Sequence, residues 1–459
     1  MIHRIIRLFV FFSFVTITAG AQHNSLEQYV QQALDNNLAL QQKGYSYEKS
    51  LAALKEARQM FLPQLSLEAR YSLARGGRTI DIPVGDLVNP AYQNLNLLNN
   101  IAHSASPDYP IIPEYPTIPN ESINFLRESE QETKVRVAMP VFNNSILHNH
   151  RIKQHLTEVE RTSVDIYRQE LIKEVKTAYY NYGKAEVAVG IYENALALTQ
   201  ENLRTTESLQ RNHKVTMDVV YQARAEVEKV RQQLAEAIKN KKVAQAYFNF
   251  LLNRDYTSEI NIDPATILPT VTLDLEEAQI QATHNRQELQ QLNHYLSVAD
   301  DQVSMNKGSR LPQVNLVVDY GIQGTGYDIN RDADFVMGSV VMSWSLFNAP
   351  TGAKVQQSRI AKLELEKKKE EAQRQIGLQV VQAYYAIESA QAQIDQAEAE
   401  AAAAERAYEL VEIKYRQGQA NLIELTNART QWTNAQESEI IAHYDLLIRQ
   451  AELERATAQ

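Results

Sequence analysis

An internal duplication constrains this chain more than any short motif in it. Residues 26–71 match residues 275–320 at a constant offset of 249, and residues 140–224 match residues 345–429 at an offset of 205. The two offsets differ by 44, so the first copy holds 44 extra residues between its matching blocks. Because each copy should build the same unit, the duplication predicts a pseudo-symmetric wall or ring.

The first residues are typical of a secretory signal peptide. Arg4 and Arg7 precede an apolar stretch at 8–17, and Ala19-Gly20-Ala21 provides a small-residue cleavage site. An uncleaved N-terminal anchor is the alternative interpretation. We divide the chain into a signal peptide at 1–21, a first structural repeat at 22–253, a linker at 254–274 and a second repeat at 275–459.

Composition excludes several classes of function. The chain has no cysteine, which excludes disulfides, thiolate metal sites and a cysteine nucleophile. Its formal net charge of −10 gives no basis for binding nucleic acid through a general positive field. After the signal, no segment has the roughly 20 apolar residues of a transmembrane helix. We therefore expect an exported protein that, if it spans a membrane, spans it with strands.

Most of the chain has the periodicity of long helices. Between Ile376 and Tyr415, apolar residues recur at alternating steps of four and three, the 3.5-residue period of supercoiled helices. Either a plain antiparallel coiled coil or a helical barrel would give this pattern. In each copy, the length of one long helix equals the summed length of two short helices placed end to end. The predicted long helices are 148–211 and 351–416, and the short ones are 26–60, 218–252, 275–309 and 422–457.

Four segments change to a two-residue alternation of apolar and polar side chains. They are 65–73, 134–141, 313–322 and 340–346. Strands of about ten residues with one apolar face are typical of transmembrane β-strands, although a soluble sandwich would show the same alternation. Because about eight strands are the minimum for an outer-membrane barrel, one chain must oligomerise, and three copies would supply twelve strands.

The 44 extra residues lie between the first two strands, at 75–130. This segment contains seven prolines, and we predict an exposed loop that is not helical. It is either an extracellular lid or crown, or a disordered insert.

These features together resemble the TolC-like outer membrane efflux protein family, over the whole mature chain from Leu26 to about Ala456. The resemblance rests on the Leu-Pro-Gln that opens a strand in each copy, the Ala-Tyr-Tyr on each long helix, and the turn from Lys414 to Leu425. It implies a mainly helical fold with a small transmembrane β part. Duplicated helical hairpins would form an α-barrel, and four strands per chain would join a trimeric twelve-strand β-barrel. The implied function is the passive outer-membrane exit duct of a tripartite efflux or type I secretion system, with a long periplasmic extension.

The resemblance also implies a gate where the long helices turn back. Asp218 and Tyr415 match family positions that hydrogen-bond between two hairpins. Glu424 matches the first acidic position of the constriction, so three copies would form a carboxylate ring that selects cations. Asn427 stands where the family has a second acidic residue, and Ala420 where it often has an arginine. The alternative is that Asp218 and Glu424 are solvated residues favoured by the helix macrodipole.

The implied partners are two further copies of the chain, a periplasmic adaptor protein, an inner-membrane pump and outer-membrane lipid. Adaptor hairpins would contact the two turns, at Arg211, Val215, Arg416, Gly418 and Ala420. The alternative for these turns is an ordinary helix C-cap with glycine in a left-handed conformation.

No pattern in the sequence indicates an enzyme, a cofactor or a metal site. The spacings of His148, His150 and His155 do not place three imidazoles on one helical face. The alternative to a duct is a structural protein, namely a secreted or periplasmic coiled-coil scaffold or adaptor without a pore.

Overall fold

The computed structural model describes residues 25–106, 108–262, 274–327 and 332–458. The predicted signal peptide and most of the predicted linker, at 263–273, lie outside these ranges. The chain divides into two compact units. One contains 151–303 and 356–459 with the residues up to Leu54, and the other contains 55–150 and 304–355. No helix among the described residues is long and apolar enough to cross a membrane.

The two long helices of the first unit, and the helix that follows each of them, have nearly the predicted bounds. The long helices are α4 (Asn144–Arg211) and α8 (Pro350–Arg416), and each is followed by a shorter helix after a tight turn. Along α8, the residues of the predicted seam are buried or half-buried, which confirms the 3.5-residue pattern. The helices that belong wholly or mainly to this unit are α1 (Ser25–Asn36), α4 (Asn144–Arg211), α5 (Met217–Leu251), α6 (Leu275–Asn285), α7 (Gln287–Gly308), α8 (Pro350–Arg416) and α9 (Leu422–Thr457). A further helix, α2 (Leu38–Gln59), begins in this unit.

The prediction of one continuous helix at 26–60 and another at 275–309 was wrong, because each is broken once. The breaks fall at Asn37 and Arg286, which are 249 residues apart and so equivalent in the duplication. The Asn37 side chain accepts hydrogen bonds from the backbone N–H groups of Ala39 and Leu40, both at 3.0 Å, and so caps the next helix. Its amide also donates to the Leu251 carbonyl at 3.0 Å, which fixes the break against α5.

Aromatic residues fill the largest core of the first unit. Tyr179 and Phe248 are fully buried, with ring centroids 5.9 Å apart, and Tyr29 meets Phe248 edge to face at 5.2 Å. Leu171 and Val175 complete the α4 side of this core. Tyr179 and Tyr180 belong to the Ala-Tyr-Tyr of the first copy, so that motif packs the core where α1, α4 and α5 meet.

The second unit contains an antiparallel four-stranded sheet of order β1-β4-β5-β6. Its strands are β1 (Gln64–Leu73), β4 (Ser129–Phe142), β5 (Gln313–Gly324) and β6 (Asp334–Ser343). The first three predicted strands are confirmed. The fourth lies earlier than predicted, because the ladder ends where Gln313, the first residue of β5, pairs with Ser343. Trp344 lies beyond the ladder and donates its indole N–H to the Arg310 carbonyl at 3.0 Å.

The two faces of this sheet differ over β1, β4 and β5, whereas β6 also carries the exposed apolar residues Met337 and Val341 on the face of Asp319. On one face, Arg136 donates from Nε and Nη2 to the two carboxylate oxygens of Asp319, both at 2.8 Å, and reaches Glu68 at 3.1 Å. The opposite face carries exposed apolar side chains from all four strands, including Leu65, Leu67, Val135, Leu316 and Val340. An apolar outer face with a polar inner face is the arrangement of a strand between lipid and a lumen.

The prediction that 75–130 cannot be helical was wrong. The segment forms a short antiparallel ribbon of β2 (Thr79–Ile82) and β3 (Glu121–Asn124), with helix α3 (Val84–Ala105) between the two strands. The helix holds only one proline, Pro90. Most of the others follow it, and four of them recur at every third residue from Pro110 to Pro119. Three residues is the repeat of a polyproline II helix, so the prolines suit an extended return segment.

Side chains at heptad spacing hold the return segment along α3. Asn89 exchanges two hydrogen bonds with the backbone of Ile118, both at 2.8 Å. Asn96, seven residues on, does the same with Tyr115, at 3.1 and 2.8 Å. One further heptad along, His103 Nδ1 lies 2.8 Å from the Tyr109 carbonyl oxygen. We call these three α3 residues and their backbone partners the amide ladder. Proline has no backbone N–H to donate in a sheet, so the prolines disfavour strand pairing of this segment. The ladder instead gives its backbone groups side-chain hydrogen-bond partners.

Two glycines of α4 generate a matched stability test. An added Cβ at Gly183 would lie 2.7 Å from the Tyr444 ring, whereas at Gly190 it would meet no heavy atom within 4 Å. We expect Gly183→Ala to destabilise the fold by about 1–3 kcal/mol through overpacking. Gly190→Ala should stabilise it by roughly 0.5–1 kcal/mol, because alanine is the better helix former. Thermal unfolding in detergent measures both, and shifts of the same sign would contradict the packing argument.

A second test concerns the helix break at Arg286. Burial alone would raise the pKa of Glu288, but hydrogen bonds and charge from Arg286 and Arg455 outweigh it and lower that pKa to about 2. Because the folded-state pKa is depressed, the stabilisation is present above pH 4.5 and is lost as the pH falls towards 2. In thermal unfolding measured at several pH values, the midpoint temperature should fall less for Glu288→Gln than for the wild type as the pH drops from 4.5 towards 2. The same change at the exposed Glu277 of α6 is the control and should leave the dependence of the midpoint temperature on pH as it is in the wild type.

Candidate functional site

The two turns at the ends of the long helices have the same geometry. The first joins α4 to α5 and the second joins α8 to α9. His213 and Gly418, equivalent at the offset of 205, both have left-handed backbones, with φ of 56° and 75°. In each turn the following residue donates to the carbonyl five residues back, from Lys214 to Leu209 and from Gln419 to Lys414. This is the bonding of a Schellman motif, which ends a helix and reverses the chain.

Tyr415 connects the two hairpins just before the second turn. Its side chain is buried, and its hydroxyl lies 2.6 Å from Oγ1 of Thr206 on α4. Because Thr206 donates its own proton to the Asn202 carbonyl at 2.7 Å, the phenol is the donor in this pair. Burial raises the pKa of Tyr415. The resemblance implied a bond to Asp218, but within this chain the partner of Tyr415 is Thr206.

The remaining predicted gate residues are exposed. Asp218 lies in the first turn of α5, and Glu424 and Asn427 lie one turn apart on α9. The Asn421 side chain caps α9 by accepting from the Glu424 backbone N–H at 2.9 Å. It also donates to the Glu424 carboxylate at 2.7 Å. The Glu424 carboxylate is therefore oriented by the helix cap and still faces solvent.

The residues predicted to meet an adaptor protein all lie at these turns. Arg211 and Gly418 are exposed, and Arg416 is exposed while paired with Glu412 at 2.7 Å. Val215 is half-buried, and Ala420 packs at the edge of the apolar cluster that contains Tyr415. The turns therefore present charged and small side chains over a shared apolar base.

Sequence reasoning missed Arg429, which is the most buried charge near the turns. Its side chain is only 4% exposed. From α9 it donates to the Thr199 hydroxyl of α4 at 2.9 Å and forms an ion pair with Glu226 of α5. Burial lowers the pKa of its guanidinium, but arginine stays charged. One side chain thus joins three helices of the two hairpins.

The sequence did carry a sign of this role. Arg429 is seven residues after Leu422, on the stripe of α9 that faces the core. A charged residue on a buried stripe requires a partner. Its equivalent in the first copy, Arg224, is exposed and pairs with Glu207 at 3.0 Å, so the duplication alone would have suggested a surface residue.

Within the described ranges, no group of three or more His, Asp or Glu side chains is placed to hold a metal ion. Of the three clustered histidines, His155 lies 3.6 Å from Asp301 on α7. The side chains at the turns cap helices, form hydrogen bonds between helices and expose charged groups to solvent.

Comparison with known proteins finds one family model that matches part of the chain and several solved structures with the same fold. Residues 280–459 match the family model described as outer membrane efflux protein. No curated protein matches the chain by sequence.

Solved structures of three channels share the fold. The CmeC outer membrane channel of Campylobacter jejuni is 16% identical, with a TM-score of 0.73 over 94% of this chain and 85% of that one. The outer membrane protein VceC of Vibrio cholerae is 13% identical, with a TM-score of 0.72 over 94% and 95%. The open MtrE outer membrane channel of Neisseria gonorrhoeae is 16% identical, with a TM-score of 0.70 over 94% and 88%. The predicted fold class is confirmed.

The buried arginine generates a prediction with an internal control. Arg429→Met leaves the mostly buried Glu226 with only the longer pair to Lys229, at 3.9 Å, so we expect a loss of about 3 kcal/mol in the free energy of unfolding. Arg224→Met removes an exposed pair at the equivalent position and should cost no more than about 1 kcal/mol. Denaturant unfolding in detergent measures both. Equal costs would mean that the Arg429 pair does not tie the helices together.

Proposed function

We propose that this chain is a passive exit duct in the outer membrane, and the match of residues 280–459 to the family model described as outer membrane efflux protein supports this proposal. It does no chemistry in this role. Three copies form the duct, and the long helices extend into the periplasm. Substrate enters from a tripartite efflux or type I secretion system whose other components supply the energy.

The observation that carries this proposal is the four-stranded sheet. Its exposed apolar face, seen at Leu67 and Val340, requires lipid or protein rather than water, and its other face is lined by ion pairs. Strands β1 and β6 each have one neighbour in the described chain. Unpaired strand edges are not tolerated in lipid, so the sheet must close with other copies. Three copies give twelve strands, which exceeds the minimum for a barrel.

The gate belongs at the helix turns. Glu424 is exposed, held by Asn421 and repeated three times in a trimer, so it would form a carboxylate ring that attracts cations. Asn427 lies one turn further along α9, and Asp218 lies in the first turn of α5. Tyr415 and Arg429 hold the two hairpins of each chain together above the turns, so opening would move the hairpins as joined pairs.

The same turns are the proposed contact for a periplasmic adaptor protein, which links the duct to an inner-membrane pump. Arg211 and Arg416 offer charge, and Gly418 and Ala420 leave room for close approach of a partner helix. The residues there are exposed or half-buried in the single chain, as a docking surface requires.

A scaffold or adaptor without a pore is the competing function, and it accounts for the helices equally well. It does not account for a sheet whose apolar side chains face outward on all four strands. Oligomer mass in detergent and single-channel conductance in a planar bilayer decide between the two. A trimer with small, stable, cation-selective openings supports the duct, whereas a monomer without channel activity would leave the scaffold.

The gate ring generates its own prediction. Glu424→Gln should weaken block of the channel by divalent and trivalent cations, because it removes three carboxylates from one ring. Asn427→Asp should strengthen that block by adding a second ring one turn away. Glu400→Gln, at an exposed position of α8 far from both turns in sequence, is the control. Unchanged block in both ring variants would remove the acidic gate while leaving the duct intact.

A further inference from the structure

Helix α3 of the insert carries its apolar side chains outward. Leu87, Leu95 and Leu98 are exposed by 74%, 43% and 61%, and Ala91 completes a stripe with steps of four, four and three. Ile101 extends the same face and is exposed by 54%. An isolated surface helix normally shows the reverse arrangement, with its apolar stripe against its own chain.

The inward side of α3 is already occupied. The amide ladder uses Asn89, Asn96 and His103 to bind the return segment, and the ring of Tyr92 stacks on Tyr115 at 5.0 Å. Asp86 accepts from the Asn120 side chain at 3.0 Å. The helix therefore cannot roll to bury its leucines without breaking these bonds, and something else must cover them.

The charge of α3 indicates what covers the stripe. The helix has no lysine or arginine, and its ionisable residues are Asp86, Tyr92 and His103. A helix that lies on a membrane surface carries basic residues along its polar face, which α3 lacks. Copies of α3 can pack together without like-charge repulsion along the stripe, and the spacing of four and three is the spacing of helices that pack side by side.

The location of α3 in the chain, and its occurrence once in each copy, agree with packing between copies. The insert leaves the sheet at the end of β1, an edge strand that has one neighbour in the described chain. That end is opposite to the one at which α2 enters the strand. The equivalent loop of the second copy, after β5, contains no helix in its described residues. Each chain therefore supplies one such helix, next to the edge that a neighbouring copy must pair.

We propose that the apolar stripe of α3 packs against the same stripe of the other two copies and forms a three-helix cap at the outer mouth of the duct. This cap rests on the proposed trimer. It would be a second closure, separate from the gate at the helix turns.

The absence of cysteine makes the test direct, because a single introduced thiol can be joined only to its own copies. Leu98→Cys in the full-length protein, treated with a short bifunctional maleimide, should give covalent dimers on a denaturing gel. Asn100→Cys is the control, since Asn100 is exposed on the opposite side of the same helix. Leu87→Cys is an independent second position on the stripe, should Leu98→Cys fail to fold.

The outcomes separate the cap from the duct. Dimers from the stripe positions but not from Asn100→Cys support the cap. An intact trimer with no stripe-specific cross-linking overturns the cap and leaves the duct. Labelling of the stripe thiol by a reagent dissolved in the bilayer assigns the stripe to lipid and also overturns the cap. A wild-type monomer overturns the trimer and the cap with it.

Discussion

The structure depends on a four-stranded sheet whose two edge strands and apolar face lack partners within the described chain. Backbone N–H and C=O groups on the outer edges of β1 and β6 need partners, and in lipid no water can provide them. The apolar face adds a second demand, because Leu65 and its neighbours lie exposed in the single chain. Both demands are met at once if identical sheets join edge to edge with their apolar faces outward. The polar face, organised by Arg136 and Asp319, then lines the interior.

The duplication has preserved backbone geometry more strictly than side-chain chemistry. The helix break falls at equivalent positions but is made by a capping asparagine in one copy and by Arg286 in the other. The left-handed turn residue is His213 in one hairpin and Gly418 in the other. The arginine of each Ala-Arg pair is exposed in the first copy and buried in the second. Each copy keeps the same path for the chain, while the residues that join the helices differ.

The sequence predicted long-range order well and individual contacts poorly. Periodicity over dozens of residues located the long helices, and their seam along α8 is buried as expected. The fourth strand was misplaced because alternation continues past Ser343, although the ladder stops where β5 stops. The insert was misjudged because its prolines were counted together, whereas only Pro90 falls within the helix. The pairing of Tyr415 with Thr206 depends on how two helices are rotated against each other, which one sequence does not specify.

The amide ladder joins the α-helix α3 to a polyproline II segment, and the two have different rises per residue. Seven residues of α3 rise about 10.5 Å, and three residues of a polyproline II segment rise about 9.3 Å. The two distances nearly coincide, which is why Asn89 and Asn96 meet carbonyls three residues apart at Ile118 and Tyr115. A change of length in one arm alone between these two rungs would move them out of register, whereas the third rung, His103 with Tyr109, is six residues further along the return segment and does not follow the ratio. A natural variant that adds one more asparagine rung should therefore gain about ten residues, seven in the helix and three in the return segment.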